Sequence, residues 1–286
     1  MRTRSLVTPL AIFYIVLWAS AYVPSKVAAT GAPPLWFLVA RFSAAGLVMA
    51  AIALGMRRPF PGQWAVYAVL GVLANAAYLG CTYTALGRGL AAGIASIVAS
   101  TNPLILAVVA PKLLSEPLTS LKGLGLALGF GGVIGVVVAR GGSASAEPSL
   151  VGLALLGVAS NVASTILFKR ARGSTDLLAI NTIQLLAAGV VLVPVALMLE
   201  GPPTANLTPE LLESFAYLVG VLSVGASLLW FWLLSRGAAS RVSAFYFLTP
   251  VFGLFFGAAL LNETVVPTDA FGLVAIALGI VMVQRG

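Results

Sequence analysis

The sequence predicts an all-α polytopic membrane protein with ten transmembrane helices, arranged as two inverted five-helix repeats. Of its 286 residues, 60% are hydrophobic and 8% are charged, and the mean hydropathy is +1.06. Soluble domains average about 25% charged residues, so this chain has too few charges to cover a water-facing surface. Its apolar runs of about 20 residues are typical of membrane-spanning helices, whereas barrel strands would alternate polar and apolar side chains.

The predicted helices begin and end at charges and turn residues. They are expected at 6–28, 34–54, 64–86, 90–110, 121–139, 150–169, 176–199, 211–234, 242–261 and 268–283. With short connections, these spans use nearly the whole chain. Arg2 and Arg4 ahead of the first run resemble a signal peptide. Because the run from Leu6 to Val23 is long enough to span and no clear cleavage site follows, we interpret it as a retained first helix.

Basic residues predict how the helices are oriented. If the helices alternate in direction, most of the sixteen lysines and arginines share one side with the N-terminus, namely Arg2, Arg4, Arg57, Arg58, Lys112, Lys122, Lys169, Arg170, Arg172, Arg236, Arg241 and Arg285. The acidic residues on the opposite side are Glu200, Glu210, Glu213, Glu263 and Asp269. Since cytoplasmic loops carry an excess of Lys and Arg, both termini are expected in the cytoplasm of a multi-pass inner or plasma membrane protein.

The net charge of +8 and the pI near 10.1 have the same origin. In a soluble chain they would suggest nucleic acid as a partner, but here they reflect the basic bias of cytoplasmic loops. The expected partners are a small-molecule substrate and the lipid bilayer, with no nucleic acid and no required protein partner.

An internal repeat divides the chain. At a shift of 147 residues the coinciding pairs include Ser96 and Ser243, Pro103 and Pro250, Leu113 and Leu260, Glu116 and Glu263, and Gly125 and Gly272. Because the unit of five helices is odd, its two copies enter the membrane in opposite directions. The predicted organisation is a first repeat at 1–140, a linker at 141–149 and a second repeat at 150–286.

Two prolines mark the predicted pathway. Pro103 and Pro250 occupy equivalent positions near the centres of predicted helices 4 and 9, and Ser243 lies one repeat from Ser96. An inverted repeat places its substrate site near the bilayer midplane, beside helices interrupted by proline or glycine. We interpret both prolines as pathway hinges. Two tolerated kinks are the alternative.

Polar and aromatic side chains recur on one face of several predicted helices, as expected for faces that line a cavity rather than lipid. The predicted substrate-binding residues are Asn75, Tyr78, Asn102, Asn161 and Tyr246. Amides can bind amino and carboxylate groups, while aromatic rings accept a variable side chain. The alternative for each asparagine is a structural hydrogen bond between helices. Further pathway positions are expected at Tyr22, Gln184 and Ser243.

Each of three charged residues has two possible roles. Arg41 lies about 10 Å along helix 2 from its end, at 1.5 Å per residue. It either snorkels outward or lines the pathway and attracts a carboxylate. Glu116 and Glu263 follow helices 4 and 9 at equivalent positions, where a helix cap or a gate is favoured over catalysis.

Enzyme chemistry is poorly supported by this sequence. The chain has no histidine, the usual zinc ligand and general base, and its single cysteine is Cys81. It has no Walker A motif for a nucleotide. We therefore predict no catalytic residues, no metal and no cofactor, and exclude a pump powered directly by ATP.

The sequence resembles the EamA family of the drug/metabolite transporter superfamily along essentially its whole length. The resemblance rests on two tandem five-helix units, Trp18-Ala19-Ser20 in helix 1, Arg41 early in helix 2, and a duplicated Leu-Leu-x-Glu at Leu113–Glu116 and Leu260–Glu263. It departs from the family where Val158 stands at the position of a tryptophan often found in helix 6.

The resemblance implies a secondary transporter that exports small metabolites by alternating access. Within the family, the YddG-type exporters of aromatic and other amino acids are the nearest comparison, and they suggest amino acid export with broad specificity. Cationic drugs and sugar phosphates are alternative substrates, although a sugar phosphate needs clustered lysines and arginines. The alternative class of function is a non-transporting membrane scaffold or lipid-handling protein.

Overall fold

A computed structural model describes residues 2–113, 119–139, 147–171, 176–204, 206–235 and 249–285, and the regular structure in these ranges is helical. Six helical segments are long and apolar enough to cross a membrane: Pro9–Gly31, Pro34–Gly55, Trp64–Gly87, Pro148–Phe168, Leu177–Glu200 and Pro209–Leu229. Shorter apolar helices occur at Ala92–Leu106, Ser120–Val136, Val251–Leu261 and Pro267–Met282. The chain is a polytopic membrane protein.

The helices follow one another with short connections. In the first half they are α1 (Arg2–Ser20), α2 (Tyr22–Gly31), α3 (Pro34–Gly55), α4 (Trp64–Gly71), π1 (Val72–Ala77), α5 (Tyr78–Gly87), α6 (Ala92–Ala99), α7 (Asn102–Leu113) and α8 (Ser120–Ala139). In the second half they are α9 (Pro148–Arg170), α10 (Leu177–Glu200), α11 (Pro209–Ala216), π2 (Tyr217–Ala226), α12 (Ser227–Ser235), α13 (Thr249–Leu261) and α14 (Pro267–Arg285).

Predicted helix 4 is divided where the sequence suggested only a kink. It consists of α6 and α7, separated at Ser100 and Thr101, and Pro103 is the second residue of α7. Proline has no N–H to continue the ladder, so it is best accommodated in the first turn of a helix, whereas inside a helix it removes a hydrogen bond and favours a kink or a break. The hydroxyls of Ser100 and Thr101 donate to the carbonyls of Ile97 and Val98 at 2.6 and 2.7 Å, which satisfies the last turn of α6. Pro250 is likewise the second residue of α13.

Two wide turns were not visible in the sequence. The segments π1 and π2 interrupt the third and eighth predicted helices with i→i+5 hydrogen bonding. Such turns are rare and frequently lie at functional sites. Two serines of α9 brace π1, because the hydroxyls of Ser160 and Ser164 donate to the carbonyls of Leu73 and Leu70, each at 3.0 Å.

The helices pack in pairs that join the two halves of the chain. The most extensive pairs are α8 with α14 and α3 with α10, followed by α5 with α9 and α6 with α13. Glycine permits the closest of these contacts, since a Cβ on Gly279 of α14 would lie 2.5 Å from the Gly125 carbonyl oxygen of α8. The buried core runs through the centre of the bundle.

The bundle has two chemically different ends. The loops at one end, here the acidic end, carry Glu200, Glu210, Glu213, Glu263 and Asp269. The loops at the other, the basic end, carry Arg57, Arg58, Lys122 and Arg170. Contacts between chain-distant loops fix these groupings: Glu200 meets Leu35 at the acidic end, and Arg58 meets Asp176 at the basic end.

Candidate substrate cavity

A cavity of about 480 Å³ lies inside the bundle, between α1, α3, π1, α9, α10 and π2. Its polar and aromatic lining residues are Tyr14, Trp18, Arg41, Phe42, Asn75, Asn161, Ser164, Thr165, Phe168, Asn181, Gln184, Ser223 and Ser227. Phe168 and Leu177, which also line it, stand beside the loop that joins α9 and α10 at the basic end. The cavity therefore extends from the middle of the bundle toward the basic end.

Helical spacing brings these side chains to one wall. On α9, Asn161, Thr165 and Phe168 are separated by four and three residues, so they share a face. On α10, Leu177, Asn181 and Gln184 follow the same pattern. On α1, the rings of Tyr14 and Trp18 stack with centroids 6.2 Å apart. Each helix thus turns a polar or aromatic face inward and leaves its apolar face for lipid.

Arg41 is buried and does not snorkel. Its side chain is 7% exposed and lines the cavity, above the ring of Phe42 at 5.9 Å from its centroid. Its Nη1 donates to the Tyr83 hydroxyl at 2.8 Å and its Nε donates to Ser223 Oγ at 3.1 Å. Of the two alternatives that the sequence left for Arg41, the structure places it on the cavity wall.

Several residues predicted from the sequence meet in this cavity. Asn75, Asn161, Gln184 and Arg41 all line it. Asn102 lies next to it, because its Nδ2 donates to Asn161 Oδ1 at 2.8 Å. That bond joins the start of α7 to α9, so Asn102 orients Asn161.

Other predicted residues are not brought to the cavity wall or cannot be placed. Tyr78 is half-buried and Tyr22 is buried, and neither is among the described residues that line the cavity. Tyr246, Ser243 and Glu116 lie outside the described residues. The backbones of Pro103 and Pro250 are described, but their side chains are not.

Sequence reasoning missed four polar residues of this region: Tyr83, Asn181, Ser223 and Ser227. Asn181 stands three residues before Gln184, a spacing that could have revealed it. Ser223 gave no such signal, because its position depends on the wide turn of π2.

Two carboxylates close the acidic end by binding the N-termini of helices from the other half of the chain. Glu200, at the end of α10, accepts hydrogen bonds from the backbone N–H groups of Leu35 and Trp36 at 3.0 to 3.2 Å. The Trp36 indole N–H donates to the Gly201 carbonyl at 2.8 Å. The N-cap of α3 is Pro33, whose side chain offers no acceptor, so Glu200 supplies the missing cap.

Glu263 binds the start of α6 in the same way. Its Oε1 and Oε2 accept from the N–H groups of Ala92 and Gly93 at 2.6 and 2.9 Å. Asn262 has a φ of 53°, a left-handed conformation that asparagine tolerates, and this turn directs Glu263 back toward α6. A Cβ on Gly257 would lie 2.5 Å from Glu263 Oε2, so glycine leaves the space for the carboxylate.

Further contacts seal the acidic end. Lys26 donates to the carbonyls of Leu86 and Leu90 at 2.8 and 2.6 Å and attracts Glu263 electrostatically. Below it, the ring of Phe37 stacks on Tyr83 at 6.1 Å and meets Phe215 edge-on at 5.7 Å. Polar caps above an aromatic layer therefore separate the cavity from the acidic end.

The sequence profile of the EamA-like transporter family matches residues 6–138 and 149–285. The chain belongs to this family. It is 28% identical over 302 residues to the uncharacterized inner membrane transporter YedA of Escherichia coli, a match that covers 100% of the chain and 94% of YedA. It is 27% identical over 278 residues to the transporter YvbV of Bacillus subtilis, covering 96% of the chain and 90% of YvbV.

More distant proteins share the same architecture. A WAT1-related chloroplastic protein of Arabidopsis thaliana is 24% identical over 278 residues, covering 93% of the chain and 66% of the plant protein. One crystal structure superposes with a TM-score of 0.64 over 98% of the chain and 97% of its own length, at 20% identity. The predicted family is thus confirmed, and the chain is a membrane transporter of the drug/metabolite transporter type.

Proposed function

We propose that this protein exports small metabolites, amino acids including aromatic ones, with broad specificity and by alternating access. The observation that carries the proposal is one cavity with two properties. It is lined by amides, hydroxyls and an aromatic pair, and it extends to the basic end while the acidic end is sealed. Its volume of about 480 Å³ falls in the range of about 300–1,000 Å³ typical of small-molecule sites.

Its architecture is proposed to be ten spans in two inverted repeats, at 1–140 and 150–286 with a linker at 141–149. The helix pairs that join the halves support this, because α3 meets α10 and α8 meets α14, one repeat apart. The wide turns π1 and π2 also stand about one repeat apart. The family profile matches two stretches of similar length.

The proposed orientation places the basic end and both termini in the cytoplasm. Cytoplasmic loops carry an excess of Lys and Arg, and Arg57, Arg58, Lys122 and Arg170 lie together at that end. In this orientation the cavity extends toward the cytoplasm among the described residues, and the carboxylate caps of Glu200 and Glu263 lie on its outer side. The structure then represents the state that loads substrate from the cytoplasm before export.

The substrate class follows from what the cavity offers. Asn75, Asn181 and Gln184 offer neutral hydrogen-bond groups, and Tyr14 and Trp18 offer an aromatic surface for a variable side chain. A cationic drug would meet Arg41 in the cavity wall. A sugar phosphate would meet only this one guanidinium among the described lining residues, where a dianion needs several.

Alternating access is proposed to come from rocking of one half against the other. The break at Ser100 and Thr101 beside Pro103 is one hinge, because a helix that is already interrupted bends at little cost, and Pro250 at the equivalent repeat position is the proposed second hinge. Glu263 acts as the outer gate through its bonds to α6. Glu116, its counterpart in the repeat, remains a predicted gate residue, and Tyr78, Tyr246 and Ser243 remain predicted pathway residues.

Counterflow in proteoliposomes tests the proposal. Liposomes loaded with unlabelled phenylalanine should accumulate labelled phenylalanine, alanine and other amino acids in exchange, and should not accumulate labelled glucose 6-phosphate or tetraphenylphosphonium. Ala74→Trp, which fills the cavity, should abolish this exchange. Val69→Trp, on an exposed position three residues before π1 begins, is the matched control and should retain it. A well-folded protein that moves no member of the panel would favour a scaffold or lipid-handling role.

A further inference from the structure

Arg41 carries a charge that no acidic side chain of the described residues neutralises. A charged side chain inside a membrane protein is costly and is normally paired or faces a water-filled space. Here the guanidinium is 7% exposed, on the cavity wall. Its two hydrogen-bond partners, Tyr83 and Ser223, are neutral hydroxyls. No carboxylate of the described residues lies within ion-pairing distance of it.

The acidic side chains of the described ranges are all at the ends of the bundle, and the nearest candidates are occupied. Glu200 and Glu263 bind helix N-termini at the acidic end. Asp176 accepts from the N–H groups at the start of α10 and faces Arg58 at 3.7 Å at the basic end. The described part of the chain thus supplies no counter-charge for Arg41, whereas an anionic group that enters the cavity would supply one.

The hydrogen bonds left open in the cavity point to an acceptor. A guanidinium has five N–H donors, and Arg41 uses two of them, so three have no acceptor among the described residues. Asn181 lies on the wall of the same cavity. Its buried Nδ2 has no hydrogen-bond partner among the described residues. The acceptor Oδ1 of Asn161 is already occupied by Asn102. Open donors of Arg41 and Asn181 thus line the same cavity.

We propose that Arg41 binds the carboxylate of the transported molecule. A carboxylate presents two acceptor oxygens in the plane and spacing of a guanidinium fork, and its negative charge compensates the buried positive one. Tyr83 and Ser223 are positioning residues that hold the guanidinium at the cavity wall. This inference rests on the proposed transport function and narrows its substrates to molecules that carry a carboxylate.

A substrate series on the wild-type protein tests this without any mutation. Phenylalanine, phenylalaninamide, phenethylamine and 3-phenylpropionate share a ring and differ in which charged group they carry. In counterflow, phenylalanine should be favoured over phenylalaninamide by roughly 10- to 100-fold in kcat/KM, the size of one charge-assisted interaction. 3-Phenylpropionate should compete with phenylalanine, and phenethylamine should not.

Variants separate a binding role from a structural one. In Arg41→Gln the preference for acid over amide should fall to within about twofold, and competition by 3-phenylpropionate should disappear. Arg41→Lys retains the charge but not the fork, and should keep an intermediate preference. Arg88→Gln, which removes an exposed arginine at the acidic end, is the matched control and should keep the wild-type ratio.

Failure of this inference is distinguishable from failure of the transport proposal. If wild-type protein moves phenylalaninamide and phenethylamine as well as phenylalanine, transport stands and the carboxylate role of Arg41 is wrong. Arg41 has a purely structural role if wild-type protein prefers neither the acid nor the amide and Arg41→Gln loses transport of both to the same extent. Both proposals are wrong if wild-type protein transports none of the four compounds and none of the four competes with another for binding.

Discussion

The acidic and basic ends of the bundle are held together by different kinds of contact. At the acidic end, Glu200 and Glu263 each bind two backbone N–H groups of a helix from the other half. At the basic end, Arg58 and Asp176 approach at 3.7 Å with the arginine side chain 48% exposed. Charge-assisted bonds to backbone N–H groups are worth about 1.5–3 kcal/mol each, whereas an exposed ion pair contributes about 0–1 kcal/mol.

This difference explains which end is sealed. The charge-assisted bonds between the two halves that the structure describes lie at the acidic end, above the aromatic layer of Phe37, Tyr83 and Phe215. The basic end has the cavity instead, with Phe168 and Leu177 at its margin. Under the alternating access proposed above, the contacts at the acidic end are the ones that have to break, and weakening them should shift the balance between states.

The largest expected effect is on labelling of the two ends, which we predict to be all-or-none. In a Cys81→Ser background, Pro203→Cys at the acidic end should react with an impermeant maleimide applied to intact cells. Gly62→Cys at the basic end should not react, because the basic end faces the cytoplasm. Both positions are exposed, so permeabilised cells should label equally and serve as the control. The reverse labelling pattern would show that the basic end, and the cavity that extends toward it, face outward.

Glu263→Gln should open the acidic end. A glutamine can accept one of the two N–H bonds but presents an NH₂ to the other and lacks the charge, which should cost about 2 kcal/mol, or about thirtyfold in the equilibrium. The measurement is the rate at which impermeant maleimide applied from outside reaches Ala74→Cys in the cavity. We expect this rate to rise by about an order of magnitude or more.

The matched control for this change is Glu213→Gln, an exposed carboxylate at the same end. It should leave the labelling rate of Ala74→Cys unchanged. Labelling from the cytoplasmic side, in inverted vesicles, should persist in both variants and shows that the cavity is intact. If Ala74→Cys is labelled from outside at the same rate in the two variants, Glu263 is not part of the gate.

The smallest predicted effect is on side-chain preference. Trp18→Ala removes one ring of the stacked pair in the cavity, so kcat/KM for phenylalanine should fall about five- to tenfold, equivalent to about 1 kcal/mol of aromatic contact. Transport of alanine, which cannot reach that ring, should change by less than about twofold. Trp64→Ala, at a side chain 63% exposed at the basic end, is the control. Equal losses for both amino acids would indicate a packing defect instead.

Much of the candidate site was predictable because helical periodicity is local. Helical spacing predicted polar faces that include Asn75 and Asn161, and both residues line the cavity, because side chains three and four residues apart share one face. The stripes did not reveal which members line the cavity. Ser160 and Ser164 donate to carbonyls of α4 and π1, and Asn102 donates to Asn161. The same residue type thus binds backbone at one position and borders the cavity at another.

The sequence by itself determined that this chain is a helical membrane protein of the EamA family, because hydropathy, charge distribution and the duplicated motifs are properties of the chain alone. Tertiary structure decided what the charged residues do. Arg41 is a cavity residue because Tyr83 and Ser223 hold it there, and Glu200 and Glu263 cap helices that are distant in sequence. The wide turns π1 and π2 were also decided by packing. The hydrogen-bond register in the centre of a helix depends on whether neighbouring helices offer partners to its backbone groups.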